Sequence, residues 1–148
     1  METIRHRVGI DAPLAKVRNA LVTTDGVAQW WTRDVRAESN ACEFEVWFGG
    51  EKPTATLLVD ASDQASVRWS CVQGPPEWMG STIRFELKDT NGSDETVVLF
   101  CHEGWREPVE FMHHCSTSWS SYLRSLKHSL EQDAGEPWPD NERVSSWG

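Results

Sequence analysis

Two histidines, His6 and His102, fall on apolar faces of segments near opposite ends of the strand-rich part of the chain. Imidazole changes charge near neutral pH, so a facing pair could move a proton to or from a bound molecule. The plainer alternative is two core histidines with satisfied hydrogen bonds, one of them to a backbone carbonyl. A second cluster, His113-His114-Cys115, puts three metal-ligating side chains in a row. Successive side chains on a helix point about 100° apart, whereas zinc pairs on a helix sit three or four residues apart. We therefore expect no metal ion. Glu103 and Glu110 are acids that a cyclase-type reaction could use, but their surroundings in the sequence do not set them apart from solvated surface carboxylates. GxSxG, P-loop, HExxH and strand-linked GxGxxG patterns are all absent. No catalytic residue and no cofactor is assigned.

The fuller signal is an apolar wall. Period-2 alternation places one side of each strand together. This puts His6, Val8, Phe44, Val46, Phe48, Leu57, Val59, Val67, Trp69, Ile83, Phe85, Val98, Phe100 and His102 on the inner face, with Trp30 beside them. Met112, Ser116, Trp119 and Leu123 face them from a helix. Such a set is either a packed core or the wall of a pocket for a hydrophobic or aromatic molecule. In the last strand Val97, Leu99 and Cys101, on the opposite side, are equally apolar. Its phase is taken from the family pattern described below.

These residues need elements to hold them. Residues 2–10 alternate as a strand, and Asp11-Ala12-Pro13 ends it. Asp11 is a candidate helix cap, and Pro13 suits a first helical turn. A helix to about residue 22 follows, then a second short one ending at Trp30-Trp31. Strands are expected at 34–39, 42–48, 54–60, 65–72, 81–88 and 95–102. Asp89 to Asp94 forms a hairpin turn between the last two. Short connections make an antiparallel meander. From Pro108 to about Gln132 the apolar period changes to 3 and 4, which gives one helix of about 25 residues, or roughly 37 Å. Gly135 marks its stop. We expect one domain over residues 1–135 and a polar, mobile tail over 136–148. One helix cannot cover a seven-stranded sheet, so the sheet must curl around it and leave room for a cavity.

Composition narrows the function. The 148 residues are 39% hydrophobic and 25% charged, with a net charge of −9. Such a chain folds, and no apolar run approaches the ~20 residues needed to span a bilayer. Its acidity opposes a phosphate backbone, so neither nucleic acid nor an anionic membrane is expected as a partner. The N-terminus lacks the apolar run of a secretory signal, and a cytoplasmic location is expected. The four cysteines, Cys42, Cys71, Cys101 and Cys115, have no CxxC spacing and read as reduced, mostly buried thiols. Nine tryptophans outnumber five phenylalanines and one tyrosine. Each brings large area and one N–H that wants an acceptor, which suits a cavity wall or a contact surface. Trp47, Trp78, Trp105, Trp138 and Trp147 have no assured core position. Trp78 sits in a loop that could lid a cavity.

In combination, several segments resemble the helix-grip superfamily of the major birch-pollen allergen, START domains and polyketide cyclases. They are Ile10-Asp11-Ala12-Pro13, Asp25-Gly26 through Gln29-Trp30-Trp31, Val67-Arg68-Trp69, His102-Glu103-Gly104-Trp105, Ser118-Trp119 and Gly135-Glu136-Pro137. Within it, the chain is most similar to the bacterial branch related to the C-terminal domain of the activator of the Hsp90 ATPase. Ser118, where Gly is frequent, and Arg18-Asn19, where an aromatic is usual, depart from the pattern. The resemblance implies an α+β fold, a curled antiparallel sheet of about six to seven strands gripping one long C-terminal helix. It implies no particular reaction. The expected function is binding of a hydrophobic or aromatic small molecule. An Hsp90-activator-like protein-interaction module and a cyclase or hydratase are the alternatives, with the chain a monomer or a homodimer.

Overall fold

The structure, a computed structural model, describes residues 1–37 and 42–148. β1 (Glu2–Asp11) is followed by two short helices, α1 (Leu14–Val22) and α2 (Thr24–Ala28). Then come β2 (Asp34–Ala37), β3 (Glu43–Trp47), β4 (Ala55–Asp60) and β5 (Ser66–Gln73). A 3-10 turn at Pro76–Trp78 leads into β6 (Thr82–Asp89) and β7 (Glu95–Trp105), and α3 (Glu110–Gln132) closes the order. The expected strand over 34–39 is β2 as far as Ala37. Residues 38 and 39 lie outside the described residues. The seven strands form one sheet in the order β1-β7-β6-β5-β4-β3-β2, antiparallel throughout. The meander explains most of that order, and β1 adds itself to β7 at one edge.

Register brings the inner-face residues opposite one another. His6 faces Phe100 and Val8 faces Val98 across β1 and β7. Ile83 faces His102 and Phe85 faces Phe100 across β6 and β7. Val67 pairs with Phe85, Val59 with Trp69, and Phe44 with Leu57. In a period-2 element one correct phase places every residue of the strand, so a single wrong register would have turned the set outward. The phase of β7 is the expected one, since Phe100 and Trp119 of α3 lie 4.8 Å apart. Val97 and Cys101, on the other side of β7, are also buried. Arg5 and Arg84 stand directly across from Cys101 on the two neighbouring strands.

The helix ends differ from expectation in two places. Asp11 does not cap α1. It is the last residue of β1, paired with Glu95, and its N–H donates to Glu131 of α3 at 2.7 Å. Sheet pairing holds Asp11 extended, and the residue at the cap position is Pro13, whose side chain makes no cap bond. Thr23 does cap α2, its hydroxyl accepting from Gly26 N–H at 3.0 Å. Gly135 is not the left-handed residue ending α3. Asp133, at φ 52°, takes that role. Gly135 is small because the chain passes Gln29 there: a Cβ would lie 2.0 Å from the Gln29 carbonyl oxygen.

The tryptophans explain how α1 is held on the sheet. Its last carbonyls have no helical partner. The Trp30 indole N–H donates to Ala20 O at 2.9 Å, and that of Trp69 donates to Leu21 O at 3.1 Å. Phenylalanine could fill much of the space but not these acceptors. Trp69 stacks on Trp31 at 5.3 Å, and Trp31 lies 5.0 Å from Trp119. Trp119 stacks on Trp78 at 6.0 Å, so indoles run continuously from the core to the loop after β5.

Beyond α3 the chain turns back over the body. Thr32 and Trp138 form a parallel bridge, with Trp138 N–H donating to Trp31 O at 2.9 Å. Arg33 pairs with Asp140, and Asn141 donates to the Tyr122 hydroxyl at 3.2 Å. Ser145 and His114 are 2.7 Å apart across their polar atoms. This is the segment expected as a tail over 136–148.

Candidate functional site

His102 is fully buried and every polar atom of its ring is engaged. Trp119 Nε1–H donates to Nδ1 at 3.2 Å. Nε2 lies 2.8 Å from Ser81 Oγ, and Ser81 gives its own proton to Trp78 O at 2.6 Å. The serine therefore accepts from His102, and the proton sits on Nε2. Burial drives the imidazole pKa down to about 3, so the ring is neutral at physiological pH. His6 does not share this network. Its Nε2–H donates to Ser116 O at 3.1 Å, and its ring packs by Phe100. The two histidines are diagonal neighbours across β1 and β7, each bonded to a different element. They form two anchors of α3 on the sheet rather than a proton-transfer pair.

A half-enclosed cavity of about 500 Å³ lies where the N-terminal half of α3 meets the loop after β5 and the returning C-terminal segment. Trp31 and Phe48 form its sheet side, and Pro75 and Trp78 its loop side. Phe111, His114, Cys115, Ser118, Trp119 and Tyr122 line it from α3. Trp138, Asn141, Arg143 and Trp147 close it from the C-terminal segment. Burial raises the Cys115 thiol to about 12 and the Tyr122 phenol to about 12, so both are neutral hydrogen-bonding walls. The Trp78 indole N–H lies beside the Cys115 sulfur but makes no hydrogen bond of normal geometry.

Of the residues expected on a pocket wall, Phe48 and Trp119 line this cavity. Phe44 and Val59 line a separate cleft by α2 and the start of β3. Trp30, Val46, Leu57, Val67, Trp69, Ile83, Phe85, Val98, Phe100 and Leu123 belong to the packed core, with Val8 and Met112 against it. His6, His102 and Ser116 are taken up by the anchors described above. The helix face explains the difference. Met112, Ser116, Trp119 and Leu123 lie toward β1, whereas Cys115, Ser118, Trp119 and Tyr122 lie toward the loop and the C-terminal segment. Both stripes have helical spacing, and Trp119 belongs to both. Trp78 was marked by its place in a loop expected to lid a cavity, and it does line this one; Trp138 had only its lack of an assured core position, and Arg143 had no signal of its own.

His113 and His114 point apart: His113 is exposed and His114 turns to Ser145. Among the described residues no three His, Cys, Asp or Glu side chains gather as a metal site. Cys42 is exposed, and Cys71, Cys101 and Cys115 are buried, all as free thiols. No described helix is long and apolar enough to cross a membrane.

The sequence pattern of the family described as Activator of Hsp90 ATPase homolog 1-like protein matches residues 11–131. The chain belongs to this AHSA1-like family. Its fold places the family in the helix-grip, or SRPBCC, superfamily, as the segments quoted above implied. An AHSA1-like relative of known structure is the Aha1 dimer from Colwellia psychrerythraea, solved in solution. It is 35% identical, with 91% of this chain and 100% of that chain covered and a TM-score of 0.79. A protein of Staphylococcus saprophyticus shares the fold at 15% identity, covering 90% of this chain and 95% of that one with a TM-score of 0.69. A Mesorhizobium loti protein does so at 16% identity, covering 88% and 98%, also with a TM-score of 0.69. No curated protein matches this AHSA1-like chain.

Proposed function

We propose that the chain binds a small hydrophobic or aromatic molecule, held between α3, the Pro76–Trp78 turn and the C-terminal segment. The observation that carries this reading is the cavity of about 500 Å³ with aromatic side chains on every wall. That volume falls within the range of small-molecule sites, and mostly apolar walls with a few polar groups are their usual make-up. Binding is favoured over acid–base turnover. His102 has a strongly shifted pKa but spends both ring nitrogens on the protein. Thermal shift and tryptophan fluorescence against a panel of lipids, flavonoids, aromatic polyketides and heterocycles test the reading. A ligand at 100 times its Kd adds ~2.7 kcal/mol, or roughly 5–10 °C in Tm for a chain of this size. It should also quench emission, because Trp31, Trp78 and Trp119 line the cavity. A panel silent in both readouts would move the function to a protein surface.

A second reading has its own support. The Colwellia relative is a dimer, and we propose that this chain forms a homodimer as well. Light scattering across a concentration series tests that. An Hsp90-activator-like role, proposed from the family description, predicts a faster ATPase rate when the chain is added to an Hsp90 chaperone. A cytoplasmic location accords with both readings.

A further inference from the structure

One edge of the sheet is open. Among the described residues β1 is hydrogen-bonded to β7 on one side and to no strand on the other. Along such a strand the backbone groups of alternate residues point to opposite sides. Two contacts fix which residues of β1 point outward. The Asp11 N–H donates to Glu131 at 2.7 Å, and the Gly9 carbonyl oxygen accepts from Lys127. Side chains of α3 therefore cover the last stretch of this edge. The same alternation turns the N–H and C=O of Thr3, Arg5 and Arg7 outward, and these have no hydrogen-bond partner among the described residues. A row of unpaired backbone groups is a template for one more strand.

The side chains on that row select the strand. Arg5 and Arg7 are exposed, and lying two residues apart they share the outer face of the sheet. By register their neighbours on β7 are Cys101 and Leu99. The acids beyond, Glu103 and Glu86, both pair with Arg84, at 3.6 and 3.8 Å. Glu2 and Asp11 lie at the two ends of β1. A second copy paired antiparallel about Arg5, His6 or Arg7 would set arginine directly against arginine, which is unfavourable. We propose that this edge takes an extended acidic segment of a partner protein as an eighth, antiparallel strand, with Asp or Glu opposite both Arg5 and Arg7. Neighbouring strands lie ~4.8 Å apart, inside the ~8 Å over which charges act at physiological ionic strength. The two arginines therefore outweigh the more distant acids of a chain with net charge −9. Nothing in this assignment depends on the cavity.

The full-length chain is titrated with a dye-labelled peptide of alternating threonine and glutamate, and with the same peptide carrying glutamine for glutamate. Fluorescence anisotropy gives both Kd values. The glutamate peptide should bind about 5-fold tighter, the effect of two partly exposed ion pairs, and the preference should shrink as salt is raised. Amide NMR signals of Thr3, Arg5 and Arg7 should shift on binding. Methylating the backbone nitrogens of the glutamates should abolish binding, because those N–H groups face β1. The double variant Arg5→Gln, Arg7→Gln should bring the two Kd values within twofold of each other. Lys52→Gln, which removes an equal charge from the exposed loop between β3 and β4, should keep the preference. Equal binding of the two peptides by the native protein, or a preference that survives the double variant, would overturn the acidic assignment. Undiminished binding of the methylated peptide would overturn strand addition. Failure of the glutamate peptide to bind at millimolar concentration would overturn both and leave Arg5 and Arg7 as guards of the edge. A dimer that shields these same amides would give the edge to a second copy and overturn the proposal.

Discussion

Replacing His102 by glutamine should change how stability depends on pH, and the size of the change follows from the burial of the ring. In the folded protein the imidazole is neutral, with a pKa of about 3 against an ordinary 6.5. Burial is the cause, because it penalises the charged form. The unfolded chain therefore binds more protons than the folded one between those values, so stability rises with pH. The contribution is complete above about pH 6.5 and is lost progressively as pH falls toward 3. Each pH unit inside the window is worth ~1.4 kcal/mol, so moving from pH 7 to pH 5 removes about 2 kcal/mol through this residue. Other groups titrate over part of the range. His114 is also lowered by burial, and Asp34, Asp60 and Glu131 are lowered by hydrogen bonds. They are present in both proteins, so the difference between native and His102→Gln curves isolates one ring. Urea unfolding at pH 7, 6 and 5 supplies those curves. Parallel curves for the two proteins would refute the reasoning. Should the variant fail to fold, imidazole NMR on the native protein gives the same answer. One ring should stay neutral, with its proton on Nε2, down to about pH 4.5.

Three further outcomes follow from the packing. Trp69→Phe keeps most of the ring but orphans the buried Leu21 carbonyl; it should cost about 2–4 kcal/mol by urea unfolding, and a loss under 0.5 kcal/mol would remove the capping role. Gly135→Ala places a methyl on the Gln29 carbonyl oxygen; a destabilisation of about 1–3 kcal/mol in Tm-based measurements is expected, whereas a gain would show that nothing crowds this position. In Ellman titration of the native protein Cys42 should react quickly and alone, since it is exposed while burial raises Cys71 to about 11 and Cys115 to about 12. Reaction of a second thiol at the same rate would show that the core opens locally.

Period alone was enough to place most of the fold. In β6, Ile83, Phe85 and Leu87 alternate against Thr82, Arg84 and Glu86, and a two-fold repeat on one buried face leaves a single phase. The long repeat from Met112 to Leu130 could be only a helix, because no strand places residues three and four apart on one side. Local chemistry also placed the turn that holds Asn91-Gly92, where the Gly92 φ reaches 83°. Each of these depends on neighbours within a few residues.

The cavity depends on contacts between distant residues, and there the sequence was ambiguous. Two helical stripes of α3 were equally apolar in the linear pattern. Which one meets the sheet and which one meets open space was decided by where β1 and the C-terminal segment dock. His6 and His102 looked like a pair by strand order, but the Ser116 carbonyl, Ser81 and Trp119 each compete for their ring nitrogens, and hydrogen bonds over such separations leave no local signature. Arg143 had no periodic neighbour to mark it. It joins the aromatic walls because Trp138 bonds back to Trp31, and that return carries the segment over α3. The sequence by itself therefore determined the elements and their inner faces, since these arise from spacing along the chain. Only the tertiary structure decided which apolar surface was left uncovered, since that depends on how the finished layers meet.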